Sequence, residues 1–365
     1  MSKSHYIIPV FVPDLGCPHR CVFCNQKKIT GLEQIPNGSE VRRKIESYLE
    51  TMPKDDGVVK EVAFYGGSFT AVDKALQREL LKPAYDFMVK GDINFIRVST
   101  RPDTISEDIL LLLAGYGVST VELGVQSMED EVLWKSGRGH TSRDVLRAVA
   151  LIKSWGLRLG LQMMVGLPGA TEAGDLYTGF ELTALAPDFV RIYPCLVLKG
   201  TRLEELYLNG NYAPLELSEA VSRCKKLLVM FEREGINVIR IGLQPSEQIN
   251  LTGDVIAGPF HPSFRELVES AVSKDMLEYM LEVADITRAR ELVLEVPEKD
   301  ISVVRGHLAA NVKYFTQKLG LESLITKTNS SLARGSIKII SIDGQKVCSQ
   351  MGRIDLVEGY RLVTS

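Results

Sequence analysis

The sequence predicts an α/β fold, a partial (β/α)6 TIM-like barrel with a C-terminal α+β extension. Two observations lead there: apolar strands alternate with helical stretches through the first two thirds of the chain, and that rhythm breaks beyond about residue 236. Strands separated by helices of this length form right-handed βαβ units in a parallel sheet, open or closed into a partial barrel. The expected domains are a core over 1–235 and an α+β domain over 236–365.

The first strand covers Tyr6 to Val12 and runs into a cysteine-bearing loop. Helical patterns at Val41 to Glu50 and Lys74 to Val89 flank a strand at Val59 to Phe64, and a third strand, Asn94 to Ser99, precedes a helix from Ser106. The fourth strand is Thr120 to Gln126. Helical stretches Asp130 to Lys135 and Ser142 to Trp155 lead to the strand Leu157 to Val165, and a helix after Thr171 leads to Phe189 to Tyr193. Ser142 and Thr171 read as N-caps, the latter followed by Glu172. Beyond Pro194 come a helix at Leu217 to Glu234 and a short strand at Asn237 to Ile241. Ala257 to Phe264 carries two prolines and a glycine and reads as irregular, whereas Ala310 to Leu319 is helical and Ser336 to Ile342 β-type.

The chain has 365 residues, 45% of them hydrophobic and 24% charged, a composition that supports a buried core and excludes disorder. The longest clean apolar run, Ile109 to Ala114, is six residues. A membrane span needs about 20. The N-terminus lacks the apolar core and cleavage site of a secretory signal, so a cytoplasmic protein with no membrane partner is expected. Net charge is −3, yet Ile301 to Ser365 holds nine Lys/Arg against four Asp/Glu, which hints at a polyanion-facing end, although a solvated surface is the favoured reading of basic residues so spread out.

Cysteine placement is the most informative feature. Cys195, Cys224 and Cys348 are scattered, whereas Cys17, Cys21 and Cys24 fall within eight residues, in GCPHRCVFCNQ. Three thiolates at C-x3-C-x2-C spacing after the first strand can wrap one compact inorganic centre. They cannot close a four-iron cluster, so one iron is left open to a substrate or cofactor. The competing assignment is a structural zinc completed by a histidine. His19, between two of the cysteines, would be strained in that role, which leaves the distant His140, His261 or His307.

With an aromatic residue, Phe23, directly before its third cysteine, this loop resembles the signature of the radical S-adenosylmethionine (SAM) superfamily. The resemblance implies a 4Fe-4S cluster on Cys17, Cys21 and Cys24 and SAM on the open iron. One electron then cleaves SAM to methionine and a 5'-deoxyadenosyl radical. Further segments stand at strand ends, where an α/β barrel collects its chemistry. Tyr65-Gly66-Gly67-Ser68 matches a Gly-Gly motif at the SAM amino group. Ser99-Thr100-Arg101-Pro102-Asp103 follows the third strand, with Ser99 where relatives carry Glu. Gln126 and Arg138 resemble a Gln and an Arg that, at this spacing in the coproporphyrinogen-oxidising branch of the superfamily, help hold SAM, and a guanidinium suits its carboxylate. Gln162 stands where relatives place an Asp on the ribose hydroxyls.

The resemblance therefore implies SAM-side positions Phe23, Asn25, Gly66, Gly67, Ser68, Thr100, Gln126, Arg138 and Gln162, with His140 and Tyr193 as catalytic candidates. Cys195 and His261 are further candidates on the substrate side. Strings such as STRPD, VELGVQS, RGHT, VGLPG and IYPCLVLKGTRLEELYLNGNY make the overall pattern similar to the radical SAM domain of the Elongator catalytic subunit and its small bacterial relatives, over residues 5–245. That implies action on tRNA or another RNA, with an external electron donor such as flavodoxin or ferredoxin. No acetyl-CoA phosphate loop is visible in the remaining 120 or so residues, so acetyl transfer is not carried over. A small-molecule substrate, or a metal-stabilised binding module without catalysis, remains the alternative.

Overall fold

The computed structural model describes residues 5–12, 17, 19–25, 36–53, 57–243, 250 and 253–356. Gly16, Pro18 and Gln26 of the cysteine segment, and the end of the basic stretch from 357 on, lie outside the described residues. The chain divides into two compact units: Met1–Leu215 with Leu243–Phe260, and Glu216–Gly242 with His261–Ser365. The expected boundary at 236 falls inside the first segment of the second unit.

In the first unit strands and helices alternate as β1 (His5–Val12), α1 (Gly38–Thr51), β2 (Val59–Gly66), α2 (Lys74–Val89), β3 (Phe95–Thr100), α3 (Glu107–Gly115) and β4 (Val118–Gln126). They continue as α4 (Asp130–Lys135), α5 (Ser142–Ser154), β5 (Arg158–Val165), α6 (Glu172–Ala184), β6 (Phe189–Pro194), β7 (Val197–Leu198) and α7 (Arg202–Leu208), and β9 (Val255–Ala257) pairs with β7. Strands β1 to β6 are neighbours in sequence order, and every pairing among them is parallel.

Helix starts follow local chemistry. Asn37 closes a capping box with Glu40 and begins α1 three residues before the expected Val41. Thr141, not Ser142, caps α5: it pairs reciprocally with Asp144, while the Ser142 N–H is taken by Asp130 Oδ1 at 2.7 Å. Either residue suits a cap by type, and the acidic residue three positions on selects Thr141. Thr171 caps α6 as expected, accepting from the Gly174 N–H.

The two faces of this sheet differ in kind. One carries Ile8, Val10, Val62, Phe64, Ile96, Val98, Val121, Leu123, Leu159, Leu161, Val190 and Ile192, all buried and apolar. The other carries Glu61, Arg97, Glu122 and Arg191. In a flat sheet β2 and β6, four places apart, would stand about 19 Å from each other. Yet Arg191 Nη2 of β6 lies 3.2 Å from the Tyr65 hydroxyl of β2. Such a contact requires the sheet to curl, with the charged face inside, as a partial barrel.

Gly160 serves the same curvature. A Cβ there would lie 2.3 Å from Phe189 Cζ, so its absence lets the Phe189 ring cross the lumen face and meet the Arg97 guanidinium at 4.8 Å.

The second unit contains α8 (Leu217–Arg233), β8 (Asn237–Ile241), α9 (Phe264–Val283), β10 (Glu291–Val296), α10 (Ile301–Arg305), α11 (Ala310–Leu319), β11 (Ser323–Thr328), β12 (Ser336–Ile342) and β13 (Gln345–Gly352). A four-stranded sheet has the order β11-β10-β12-β13, with β10 parallel to β11 and antiparallel to β12. The 20-residue α9 gives no clear one-sided periodicity because Glu269, Ser270 and Ser273 are buried beside Val268, Val272 and Met276. Among the described residues no helix is long and apolar enough to cross a membrane.

Gly160→Ala is expected to destabilise the protein by about 1–3 kcal/mol through overpacking against Phe189. Urea melts will show this, and Gly160→Ala/Phe189→Leu should recover part of the loss; equal stability of Gly160→Ala and wild type would refute the account.

Candidate active site

The cysteine loop is held from both sides. The Val22 N–H donates to Ser136 O at 3.0 Å, the Leu203 N–H donates to Val22 O at 2.8 Å, and Asn25 Nδ2 donates to Gly200 O at 3.3 Å. Val22 is buried with Val132, Leu167, Cys195, Val197, Leu203 and Tyr212, and Phe23 packs against that cluster. His19 rests on Gly139, where a Cβ would sit 2.3 Å from the ring and φ is 69°. A side chain at 139 would therefore push the loop away.

These anchors bring the loop to the C-terminal ends of the strands. The Gly67 N–H donates to Val12 O at 2.7 Å, extending the β1–β2 pairing to the Gly-Gly turn. Burial pushes the Cys17 thiol above its ordinary range, against a hydrogen bond from the Ser68 backbone and the positive charges of Arg101 and Arg138. Arg138 Nη1 donates to Cys21 Sγ at 3.2 Å, and its Nη2 donates to Gly124 O at 2.6 Å. The Cys24 N–H donates to Cys21 O at 3.1 Å and turns the loop.

Ser68 and Thr100 join hydroxyl to hydroxyl at 2.9 Å, and Thr70 meets Thr104 at 2.6 Å beside them. The Arg101 N–H donates to Ser68 Oγ at 3.3 Å; its side chain grips Asp103 with Nε at 2.9 Å and Nη2 at 3.2 Å, and also donates to Arg138 O. At the end of β4 the pairing with β5 skips Val125, and Gln126 takes a left-handed φ of 73°. That bulge folds the Gln126 amide back over Gly124, where a Cβ would lie 2.9 Å from Nε2. Gln162 Nε2 donates to Gln126 Oε1 at 3.4 Å.

The candidates thus fall into distinct places. Cys17, Cys21, Ser68, Thr100, Arg138, Gln126 and Gln162 form a connected set at the strand ends. Asn25 and Phe23 sit on the anchored side of the loop. His140 is 4% exposed, with Nε2 on Val125 O at 3.2 Å, and burial with two neighbouring arginines lowers its pKa to about 3. Cys195 is 1% exposed, and burial pushes its thiol up to about 12, so it is a packing residue. His261 and His307 pair edge to face at 5.0 Å in the second unit.

Tyr193 belongs to a network that motif reading did not identify. Arg97 binds Glu61 through Nε at 3.0 Å and Nη2 at 2.6 Å, and its Nη1 lies 3.6 Å from Glu122. Glu122 faces Arg191 Nε at 2.9 Å, and Arg191 donates to the Tyr193 and Tyr65 hydroxyls at 3.3 and 3.2 Å. The available signal was three lone charges, Arg97, Glu122 and Arg191, inside otherwise uncharged strands.

Among the described residues no three His, Cys, Asp or Glu side chains are gathered as a ready-made metal site. The donor chemistry nonetheless fits an iron–sulfur cluster: three thiols share one short loop, and Arg138 and the Ser68 backbone direct N–H groups at two of the sulfurs. It fits SAM as well. Among the described residues Arg138 Nε and Arg101 Nη1 are buried donors with no hydrogen-bond partner, suited to an anionic group such as a carboxylate.

A histidine whose pKa falls from 6.5 to about 3 on folding stabilises the protein fully above pH 6.5 and progressively less as pH drops toward 3. Between pH 7.5 and 5.5 the expected loss is about 1 kcal/mol. Urea melts at both pH values should show it in wild type, and His140→Asn should remove that difference; an unchanged slope in the variant would refute it.

Residues 12–175 match the radical SAM superfamily and residues 187–274 match the Radical_SAM C-terminal domain. A tRNA uridine(34) acetyltransferase of Methanocaldococcus jannaschii is 29% identical over 253 residues, 59% of this chain and 47% of that protein. The chain thus spans about half the length of that relative. An uncharacterized protein of the same organism is 30% identical over 232 residues, covering 60% of this chain and 70% of its own length. The solved structure of Elp3 from Methanocaldococcus infernus, with an N-terminal deletion, shares the fold at TM-score 0.59 and 23% identity, over 80% of this chain and 66% of that one. The family's cofactors are a 4Fe-4S cluster and SAM, and its domain makes the chain an enzyme. On these matches and on the cysteine loop at the strand ends, the chain belongs to the radical SAM superfamily.

Proposed function

We infer that this enzyme cleaves SAM reductively at the Cys17, Cys21 and Cys24 loop and acts on tRNA. The observation that carries the first part is the Arg138 guanidinium, which joins Cys21 Sγ to the end of β4 and keeps a buried N–H that has no partner among the described residues. A 4Fe-4S cluster, when bound, supplies the electron that splits SAM into methionine and a 5'-deoxyadenosyl radical.

Cys17, Cys21 and Cys24 are the residues to hold that cluster. Arg138 and Arg101 orient the carboxylate of SAM, Gly66, Gly67 and Ser68 present backbone groups to its methionyl end, and Gln126 with Gln162 faces the ribose. Thr100 fixes Ser68 through their shared hydrogen bond. Phe23, packed on the apolar cluster, and Asn25, tied to Gly200, keep the loop in register. Tyr193 faces the substrate. His140, neutral and bound to Val125 O, orients the end of β4. Electrons come from an external donor of the flavodoxin or ferredoxin type. The RNA reading rests on the similarity to a tRNA uridine(34) acetyltransferase and on the basic stretch from Ile301 onward.

Anaerobic reconstitution with iron and sulfide, followed by reduction with SAM, should yield 5'-deoxyadenosine, and Cys21→Ala should abolish it. Arg138→Gln should weaken SAM binding about tenfold or more, read from the SAM-induced change in the cluster spectrum. A cluster indifferent to SAM would overturn the reading. Bulk tRNA should bind at low salt and dissociate as salt rises; no binding at low salt would sink the RNA assignment and favour a small-molecule substrate.

A further inference from the structure

Helix α6 carries apolar residues on the side that faces water. Its inner side buries Gly174, Asp175, Thr178, Gly179 and Leu182. The residues it exposes are Ala173, Tyr177, Phe180 and Ala184, none of them charged, with Tyr177 48% and Phe180 63% exposed. Other helices of the same unit behave as surface helices do: α2 exposes Lys74, Arg78 and Lys82, and α5 exposes Arg143 and Arg147. A helix that is apolar outward, with aromatic rings at its centre, has the composition of a contact face.

Spacing indicates what covers it. Positions 173, 177, 180 and 184 follow one another at intervals of four, three and four, the seam spacing of paired helices. The series reads the same in both directions, and so does its chemistry: small, aromatic, aromatic, small. The midpoint between 177 and 180 is also the midpoint between 173 and 184. A second α6 laid antiparallel about a two-fold axis at that point sets Tyr177 of each copy on Phe180 of the other, and Ala173 on Ala184. Rings then meet in the middle, alanines let the ends approach, and the helix dipoles lie opposed.

Charge and area narrow the occupant further. The strip is flanked by Glu172 and Glu181, and α6 contains no Lys or Arg, which disfavours an anionic membrane or a nucleic acid. Trp134 of α4 is 79% exposed, and its neighbour Lys135 packs at Gly169, where a Cβ would lie 2.6 Å from Lys135 Cδ, just ahead of α6. The indole therefore stands at the N-terminal margin of the strip. Aromatic side chains carry about 150–250 Å² each, so the exposed portions of these three offer roughly 300–400 Å² per copy. That is about half of the roughly 800 Å² each partner buries in a standard interface, and it suits a reversible dimer. We propose that α6 is the contact face of a two-fold homodimer, with Tyr177 of each copy packed on Phe180 of the other.

The test is sedimentation velocity of the full chain, kept anaerobic and reduced so that the exposed Cys348 forms no disulfide. A monomer–dimer equilibrium with a dissociation constant on the order of 10 µM is expected. Tyr177→Lys and Phe180→Asp should each weaken it about tenfold or more by burying an unpaired charge, with the melting temperature of the monomer unchanged because both side chains face solvent there. Phe180→Ser, which adds no charge, should weaken it about fivefold and gives the same reading if a charged variant melts early. The double variant Tyr177→Lys/Phe180→Asp should dimerise again, because the antiparallel register sets lysine against aspartate, whereas a parallel pair would set like charges together. A chain that stays monomeric at about 100 µM, a dimer indifferent to the single variants, or a double variant no better than the singles would each overturn the proposal.

Discussion

A charge inside a protein must find its counter-charge, and in this molecule that requirement determines the shape of the sheet. Glu61, Arg97, Glu122 and Arg191 come from four strands, and Arg191 reaches back to Tyr65 on β2, a contact only a curled sheet permits. The apolar residues on the opposite face provide the drive to bury it. Pairing on the inner face provides specificity of form, because removing any one member leaves a buried charge uncompensated.

The same curvature assembles the active site. Closing β2, β3 and β4 together brings the Ser68 hydroxyl onto that of Thr100 and the Gly124 carbonyl onto Arg138. The cysteine loop is then pinned by backbone hydrogen bonds at Ser136 and Leu203 rather than by its thiols alone. Such backbone support fixes the middle of the loop around Val22. Arg101 adds to this support: it clasps Asp103 and reaches Arg138 O, so the two arginines are positioned by backbone and by each other.

Most strands and helices of the first unit were legible because each buries one stripe or one face, and burial writes period into sequence. Lys74–Val89 and Asp130–Lys135 are read from pattern alone to the residue. The helix Phe264–Val283 was not, since its polar residues are buried as well and no stripe survives. The site divides along similar lines. Cys17, Cys21, Cys24, Gly66, Gly67, Gln126 and Arg138 stand in short motifs whose spacing is itself a signal. Arg97, Glu122 and Arg191 stand alone in their strands, and only the register of six strands shows that they meet. The assignment of Ser142 as a cap failed for a smaller reason: adjacent hydroxyl residues compete, and the partner three residues on decides.

The bulge at the end of β4 links two positions far apart in the chain. By skipping Val125 in the pairing with β5, it leaves a backbone carbonyl facing a buried space, and His140 fills that space and takes the hydrogen bond. Neither half is useful alone. A regular strand would leave the imidazole without an acceptor, and a shorter residue at 140 would leave the carbonyl without a donor. Across descendants of this sequence the bulge and the histidine should therefore be inherited or lost as one character, a paired change in an alignment rather than two independent ones.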